Sequence, residues 1–462
     1  MTRKEKEILL DKVEILEKEK IFMHDSAGNL FQYRPEQGIY IRLTDIFARK
    51  VIRETLKDNG EIRIDCQGIE FIRRELSESL ELYSGKFDDQ KSSPFITVQN
   101  GRVDLRTVEL FDHDRKAYDT VALNFNFDES AKIKETSVTG KFLKEALGIE
   151  ELDPQKSPKL KLFYQAIGYC LSNLQNAKKL PILLGTPNTG KSVILKLCSR
   201  IIGEENVQSL SLQDLTDKYR GGLLSKAKLI TCHEIQLGNL KRLDIIKSII
   251  SGDPIVLEEK FVKAFTCVPN VKILMATNAL PELGEIDAGG AFAERLLPIP
   301  FAKREGENDI KLLDKLYEER DVLFSVIFRE MQNFIADGLQ FAEAKESRDL
   351  IDEYKSTGNS LNAFLAEHYE RGTSDDRIGT LNLYEYYKDY CNSSLLHCCS
   401  RNAFRQQLIQ LGYEISKKRL KEVGRNPVSC VLGLKEKSDE SEGENKHENT
   451  DGAAGRRTDE QD

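Results

Sequence analysis

The chain has 462 residues, of which 40% are hydrophobic and 31% are charged, with a mean hydropathy of −0.45. This composition excludes collagen-like and wholly disordered chains. No apolar run approaches the roughly 18 residues that span a bilayer, and residues 1–12 lack the apolar core of a signal peptide. We therefore expect a cytoplasmic protein, and at roughly 150 residues per domain its length predicts about three folded units.

The formal net charge is −8, from 68 basic and 76 acidic residues. The acidity is concentrated at one end, because residues 435–462 hold five basic and ten acidic side chains and no aromatic one. Such a segment cannot bury enough apolar surface to offset its ordering entropy, so we predict a disordered acidic tail at 435–462. Nine cysteines without a C-x-x-C pair indicate thiols in a reducing compartment.

In chain order, residues 4–20 predict a charged helix with a partial apolar face, and Asn100-Gly101 predicts a type I′ turn between strands at 95–98 and 103–110. Residues 1–155 are thus predicted to form an α+β domain. From 156 to 345 short buried strands alternate with longer helical stretches, which is typical of a parallel α/β layer. The predicted strands are 181–184, 228–232, 271–276 and 296–300.

Residues 346–359 are polar and are predicted to be a linker. The last unit, 360–434, contains three helical stretches at 361–369, 381–391 and 400–411, followed by two extended stretches around a basic turn. This order predicts a winged helix.

A complete G-x-x-x-x-G-K-S motif joins the first predicted strand of the α/β layer to a helix. In such a loop, backbone N–H groups and the helix N-terminus bind phosphate, the lysine reaches the β- and γ-phosphates, and the serine holds Mg²⁺. The motif therefore predicts ATP and Mg²⁺ as ligands. Its residues are Gly185, Thr186, Pro187, Asn188, Thr189, Gly190, Lys191 and Ser192.

Three polar residues at strand ends complete a candidate ATPase site with Lys191. Glu234, after the second strand, is the candidate general base and Mg²⁺ ligand. The preceding residue, His233, stands where a second acid is usual. Its alternative interpretation is a histidine at the edge of the core, without a role in the site. Asn278, after the third strand, is placed to orient the attacking water. Arg295, before the fourth, could stabilise the transferring phosphoryl group of an adjacent subunit or pair with Glu294.

The order and spacing of these motifs resemble the superfamily 3 helicases of the AAA+ class, of the phage, plasmid and poxvirus primase-helicase type. The resemblance extends over roughly residues 30–434 and is strongest at 185–192, 226–234, 251–254, 272–278 and 295–301. It implies an AAA+ ATPase core at 156–345, a helicase-associated domain at 1–155, and a hexameric ring that moves along one DNA strand from 3′ to 5′. It also implies a bacterial host cell.

The same resemblance implies that residues 255–265 form a DNA-gripping hairpin, with Lys260 and Lys263 on phosphates and Phe261 on a sugar or base. A solvated surface hairpin is the alternative, because Glu258 and Glu259 dilute its positive charge.

A second basic region follows in the last unit, where it could contact duplex DNA through a helix and a wing or be a solvated charged surface. Its candidate DNA-binding residues are Arg401, Arg405, Lys417, Lys418, Arg419, Lys421 and Arg425.

The sequence as a whole predicts an ATP-dependent replicative DNA helicase that unwinds DNA at the origin of a phage, plasmid or other mobile element. The expected partners are single-stranded and forked DNA, further copies of the chain, and a separate primase or polymerase, with no membrane. A separate primase is expected because the nearest match to a paired-carboxylate metal motif, Asp112-His113-Asp114, follows a hairpin within the helicase-associated region, where a primase metal site is only the minor alternative. The alternative function is an AAA+ origin-binding initiator or a protein-remodelling ATPase without processive unwinding.

Overall fold

The computed structural model is a mixed α/β protein with two compact units, Met1–Gly358 and Asn359–Asp462. It describes residues 2–19, 21–58, 64–87, 92–216, 224, 227–233, 243–259, 262–280, 291–304, 309–358, 360–373, 375–394, 396, 398, 400–418 and 427–437. Within these ranges no helix combines the length and the apolar character needed to cross a bilayer.

The first part of the larger unit is a three-stranded antiparallel sheet, in the order β1-β2-β3, covered by three helices. Its elements are α1 (Arg3–Glu19), β1 (Phe22–His24), β2 (Leu30–Arg34), β3 (Ile39–Arg42), α2 (Asp45–Asp58) and α3 (Cys66–Glu78). The predicted N-terminal helix is confirmed, and Leu9, Val13 and Leu16 are its buried face. Ile8 and Ile15 of the same helix are 50% and 36% exposed, so its apolar face is buried only in part.

A four-stranded sheet and a helix follow. They are β4 (Phe95–Val98), β5 (Gly101–Asp104), β6 (Glu109–Phe111), β7 (Ala122–Leu123) and α4 (Val138–Leu147). The predicted hairpin forms, but the prediction of its turn was wrong by one residue. Val98 pairs with Gly101, so the two loop residues are Gln99 and Asn100. Neither has the positive φ of a type I′ turn. The physical reason is that the Asn100 side chain binds both the N–H and the carbonyl of Phe127.

A five-stranded parallel sheet in the order β14-β8-β13-β10-β9 forms the centre of the larger unit. The strands of this region are β8 (Leu180–Leu184), β9 (Val207–Ser209), β10 (Leu229–His233), β11 (Ile255–Glu259), β12 (Val262–Cys267), β13 (Lys272–Thr277) and β14 (Leu296–Pro300). The four predicted strands correspond to β8, β10, β13 and β14. Every residue of β8 is buried, as expected of a parallel strand covered on both faces.

Helices cover both faces of this sheet. They are α5 (Pro158–Leu171), α6 (Lys191–Ile202), α7 (Leu243–Ser251), α8 (Leu312–Glu318), α9 (Arg320–Ala336) and α10 (Lys345–Gly358). Alternate strand residues enter different cores: Leu183 packs with the core that contains α5, α6 and α9, whereas Ile182 packs with the core that contains α7.

The packing corrects two predicted boundaries. Residues of β4, β5 and α4 share one core with α5 and the parallel sheet, so no break in the core occurs at residue 155. The predicted linker at 346–359 is instead the helix α10, whose Leu350, Ile351 and Tyr354 pack against the core of α7. Polar residues dominate this helix because only a narrow stripe of it is buried.

The smaller unit combines three helices with a three-stranded antiparallel sheet in the order β16-β18-β17 and a strand pair β15-β19. Its elements are α11 (Ser360–His368), β15 (Tyr369–Arg371), β16 (Arg377–Gly379), α12 (Thr380–Ser393), α13 (Arg401–Gln410), β17 (Glu414–Lys418), β18 (Val428–Leu432) and β19 (Leu434–Glu436). The three predicted helices are confirmed. The predicted tail begins too early, because Lys435 and Glu436 belong to β19 and pair with β15; residues 438–462 lie outside the described residues.

Candidate functional site

The carboxyl ends of β8, β10 and β13 lie side by side at one edge of the parallel sheet. Thr277 is in register with Leu184, and His233 is in register with Ala276. Ligands of open parallel sheets bind at this edge, outside the carboxyl ends of the strands. The polar residues that follow these strands in sequence are therefore brought together.

The loop formed by the G-x-x-x-x-G-K-S motif begins directly after β8, and close contacts require both of its glycines. A Cβ on Gly185 would lie 2.6 Å from the Phe301 carbonyl oxygen, and the Gly185 N–H donates to the Thr277 carbonyl at 3.2 Å. Gly190 has a φ of +93°, and a Cβ there would lie 2.6 Å from Phe142 Cε2. Both positions thus keep the loop close to its neighbouring elements.

The helix α6 begins at Lys191, immediately after the loop. Its N-cap residue, Gly190, provides no side-chain hydrogen bond to the first turn. The first backbone N–H groups of a helix have no partner within the helix, and the helix dipole is positive there. This end of α6 is therefore suited to bind an anion.

The side chain of Lys191 reaches back to the loop, and this residue is only 7% exposed. Its Nζ donates to the carbonyl oxygens of Gly185 and Thr186 at 2.6 and 2.7 Å, and to Thr189 Oγ1 at 3.1 Å. Burial lowers the pKa of this lysine below its ordinary value. The three acceptors are neutral, so the ammonium charge stays available to a phosphate.

A cavity of about 500 Å³ adjoins the loop. His233 and Asn278, both exposed at the ends of their strands, contribute to its wall, as does Ser192 at the start of α6. The structure thus brings Asn278 together with the loop, in agreement with its predicted position. Glu234, the predicted base, lies outside the described residues.

Arg304 also lines this cavity, although it is not among the site residues predicted from the sequence. It belongs to no motif and follows β14 by four residues. The signal available in the sequence was its position just beyond the carboxyl end of a predicted parallel strand. Its Nε donates to Glu145 Oε2 at 3.1 Å.

Arg295 lies at the opposite end of the strands, where β8 and β14 begin. It precedes Leu296, which pairs with Leu180, the first residue of β8, whereas the loop follows the last residue of that strand. Five strand residues span about 16 Å, so Arg295 is remote from the loop of its own chain. Its guanidinium donates to Ser251 Oγ at 3.2 and 3.3 Å and to the Ala291 carbonyl at 2.7 Å.

The predicted DNA hairpin is an antiparallel pair, β11 and β12, in which Glu259 pairs with Val262. Lys260 and Phe261, which stand between these two residues in the sequence, lie outside the described residues. Lys263 is the second residue of β12, and its side chain is not among those described.

In the smaller unit, Arg401 and Arg405 are exposed one turn apart on α13. Lys417 and Lys418 are exposed at the end of β17, which is an edge strand. Four of the seven predicted DNA-binding residues here are thus solvent-accessible. The other three, Arg419, Lys421 and Arg425, lie outside the described residues.

The sequence is similar to a family described only as a family of unknown function (DUF5906), which matches residues 183–294. No curated protein matches the chain. Among solved structures, the chain is similar to two described as A-form apo structures of the NrS-1 C-terminal region, at 9% and 10% identity with TM-scores of 0.47 and 0.48. A third, an apo structure of residues 305–718 of that region, has 9% identity and a TM-score of 0.49. Each alignment covers 91–92% of this chain and 98–99% of the other.

Proposed function

We propose that the cavity at the carboxyl edge of the parallel sheet binds and hydrolyses ATP. The observation that carries this proposal is the placement of a complete phosphate-binding loop, with a buried Lys191 and an uncapped α6 N-terminus, beside a cavity of about 500 Å³. A nucleotide needs such a concave site, and its phosphates need such donors.

Each residue of the site has a distinct role in this proposal. Lys191 binds the β- and γ-phosphates, and Ser192 is the side chain on the cavity wall that would hold Mg²⁺. The metal would neutralise charge on the phosphates. Asn278 orients the attacking water, and Glu234 accepts its proton.

We further propose that Arg295 acts on the nucleotide of a neighbouring subunit. It is remote from its own loop, so a contact with a transferring phosphoryl group requires a second copy of the chain. Repetition of this head-to-tail contact closes a ring, and a homo-hexamer is the proposed assembly.

With this ring we propose a 3′ to 5′ replicative DNA helicase of the superfamily 3 AAA+ type, acting at the origin of a phage, plasmid or other mobile element in a bacterial cell. The hairpin of β11 and β12 would grip one strand through Lys260, Phe261 and Lys263. The smaller unit would act as a winged helix on duplex DNA. A separate primase or polymerase would complete the replication machinery.

The test compares ATP hydrolysis and forked-DNA unwinding by the wild type, Lys191→Ala and Lys196→Ala. Lys196 is exposed five residues further along α6, and it does not line the cavity, so its replacement removes an equal charge outside the site. We expect Lys191→Ala to lose both activities and Lys196→Ala to retain them. Equal activity of the two variants would refute the proposed site, whereas ATP hydrolysis without unwinding would refute only the helicase.

A second candidate is an AAA+ origin-binding initiator or a protein-remodelling ATPase without processive unwinding. The exposed basic residues of α13 and β17 favour the initiator, because a helix with a neighbouring wing suits duplex DNA. Binding of the full chain to origin and random duplexes over a range of salt concentrations distinguishes the two functions, since backbone contacts alone are sequence-independent and strongly salt-dependent. The initiator predicts a marked preference for the origin sequence.

A further inference from the structure

We propose that Arg304 binds the phosphate chain of the nucleotide held by its own subunit. This inference rests on the proposed ATP site and adds a residue that no motif identified. Arg304 lines the same cavity as Lys191 and Asn278. Its Cδ lies 3.8 Å from the point that a Cβ on Gly190 would occupy, so the side chain passes directly over the loop.

Contacts with α4 hold the Arg304 side chain in place. Its Nε donates to Glu145 Oε2 at 3.1 Å, and its guanidinium carbon lies 5.3 Å from the centre of the Phe142 ring. The backbone is fixed nearby, because the Ala302 N–H donates to the Ala146 carbonyl at 2.8 Å. The side chain is only 22% exposed, so much of the entropy cost of ordering it is already met in the folded protein.

The donor chemistry of this arginine fits a phosphate. Within the part of the chain that the structure describes, the hydrogen bond to Glu145 uses Nε, and the two terminal NH₂ groups remain as donors for a ligand. A guanidinium presents such paired donors in a planar fork that matches phosphate oxygens, and it stays charged at any physiological pH. Together with Lys191 it would give the cavity two cations, against the carboxylate of Asp309, the one acidic residue among the described residues that line it.

The geometry also assigns Arg304 to its own subunit rather than to a neighbour. Arg304 follows β14 at the edge where the loop lies, whereas Arg295 precedes the same strand at the other edge. The two arginines would therefore serve different nucleotides, Arg304 the one in its own chain and Arg295 the one in the next.

The first test measures ATP, ADP and AMP affinity of the full chain by calorimetry for the wild type, Arg304→Ala, Arg304→Lys and Arg200→Ala. Arg200 is the matched control, because it makes an ion pair with Asp314 at 2.7 Å and lies 5.7 Å from the Tyr317 ring outside the cavity. Loss of a charge-assisted contact predicts about 10- to 100-fold weaker ATP binding for Arg304→Ala. We expect a smaller loss for Arg304→Lys, which keeps the charge without the fork, a smaller effect on AMP, and wild-type affinity for Arg200→Ala.

The second test mixes subunits that each lack one site residue and compares ATP hydrolysis by the mixture with that of each variant alone. Arg295→Ala mixed with Lys191→Ala should regain activity, because an intact loop can meet an intact Arg295 from its neighbour. Arg304→Ala mixed with Lys191→Ala should regain none, because every cavity then lacks one of the two residues.

Recovery in the second mixture, or wild-type ATP affinity of Arg304→Ala, would overturn the inference while leaving the ATPase proposal intact. A wild-type protein that binds no nucleotide would overturn both.

Discussion

Replacement of Gly190 by alanine tests whether the close contact between the loop and α4 is required for nucleotide binding. Gly190 has a φ of +93°, and an added Cβ would lie 2.6 and 3.0 Å from Phe142 Cε2 and Cζ. A left-handed backbone costs a non-glycine residue about 1–2 kcal/mol, and overpacking against a buried ring costs about 1–3 kcal/mol. The expected cost of Gly190→Ala is therefore about 2–5 kcal/mol.

Gly338→Ala is the matched control for the backbone contribution. Gly338 has a φ of +68°, and among the described residues no atom beyond its chain neighbours lies within 4 Å of its added Cβ, so it should lose only the backbone share of about 1–2 kcal/mol. The cost at Gly190 can appear as lower stability if the loop keeps its path, or as weaker nucleotide binding if the loop relaxes. Both are measured, by urea unfolding and by ATP titration, and the two losses are added.

A combined loss for Gly190→Ala that does not exceed the loss for Gly338→Ala would refute the reasoning, because it would mean that the contact with Phe142 carries no cost. In a Phe142→Leu background the side chain at position 142 is smaller, so the close contact with an added Cβ is relieved. The loss caused by Gly190→Ala should then fall toward that of the control. This second comparison separates the ring contact from the backbone conformation.

Three further predictions concern other parts of the molecule. Ser251→Ala removes the hydroxyl that accepts hydrogen bonds from the Arg295 guanidinium. This variant should have a lower kcat for ATP hydrolysis and an unchanged ATP affinity. Ser251→Thr should restore kcat if the hydroxyl positions the arginine. Burial lowers the pKa of Lys272 to about 8 from 10.5. Above pH 8 the lysine of the folded protein is neutral, while that of the unfolded chain still binds a proton. The free energy of unfolding of the wild type, relative to that of Lys272→Met, should therefore rise by up to about 3 kcal/mol from pH 8 to 10.5. Parallel urea titrations that show no such rise would contradict this prediction. Deletion of residues 438–462, which carry nine acidic and three basic side chains, should tighten DNA binding at low salt in an anisotropy titration and have less effect at high salt.

The strands of the parallel sheet could be predicted because each is a short run of consecutive, mostly apolar residues in the sequence. Residues 180–184 and 272–277 are buried throughout, and such runs between loops indicate strands covered on both faces. The order of these strands could not be predicted in the same way. That β13 lies between β8 and β10 depends on pairing between residues about 90 positions apart in the chain, such as Met275 and Ile182.

The errors arose where local composition and long-range packing disagree. The segment of α10 is polar on average, yet three of its side chains cover a core formed by distant residues. Likewise, β4, β5 and α4 are separated from β8 in sequence by α5, yet they pack into the same core. Asn100 and Gly101 have the composition of a type I′ turn, but hydrogen bonds to Phe127 shift the turn by one residue.

The two arginines around β14 show why a candidate site needs the strand direction as well as the motif. Arg295 and Arg304 are nine positions apart in sequence and have the same chemistry, so sequence alone cannot separate their roles. The strand between them contains five residues, which separate its two ends by about 16 Å. Only its carboxyl end adjoins the loop of the G-x-x-x-x-G-K-S motif, because β14 is parallel to β8. If both arginines contact nucleotide, one must therefore serve its own subunit and the other a neighbour, and β14 sets the distance between the two contacts.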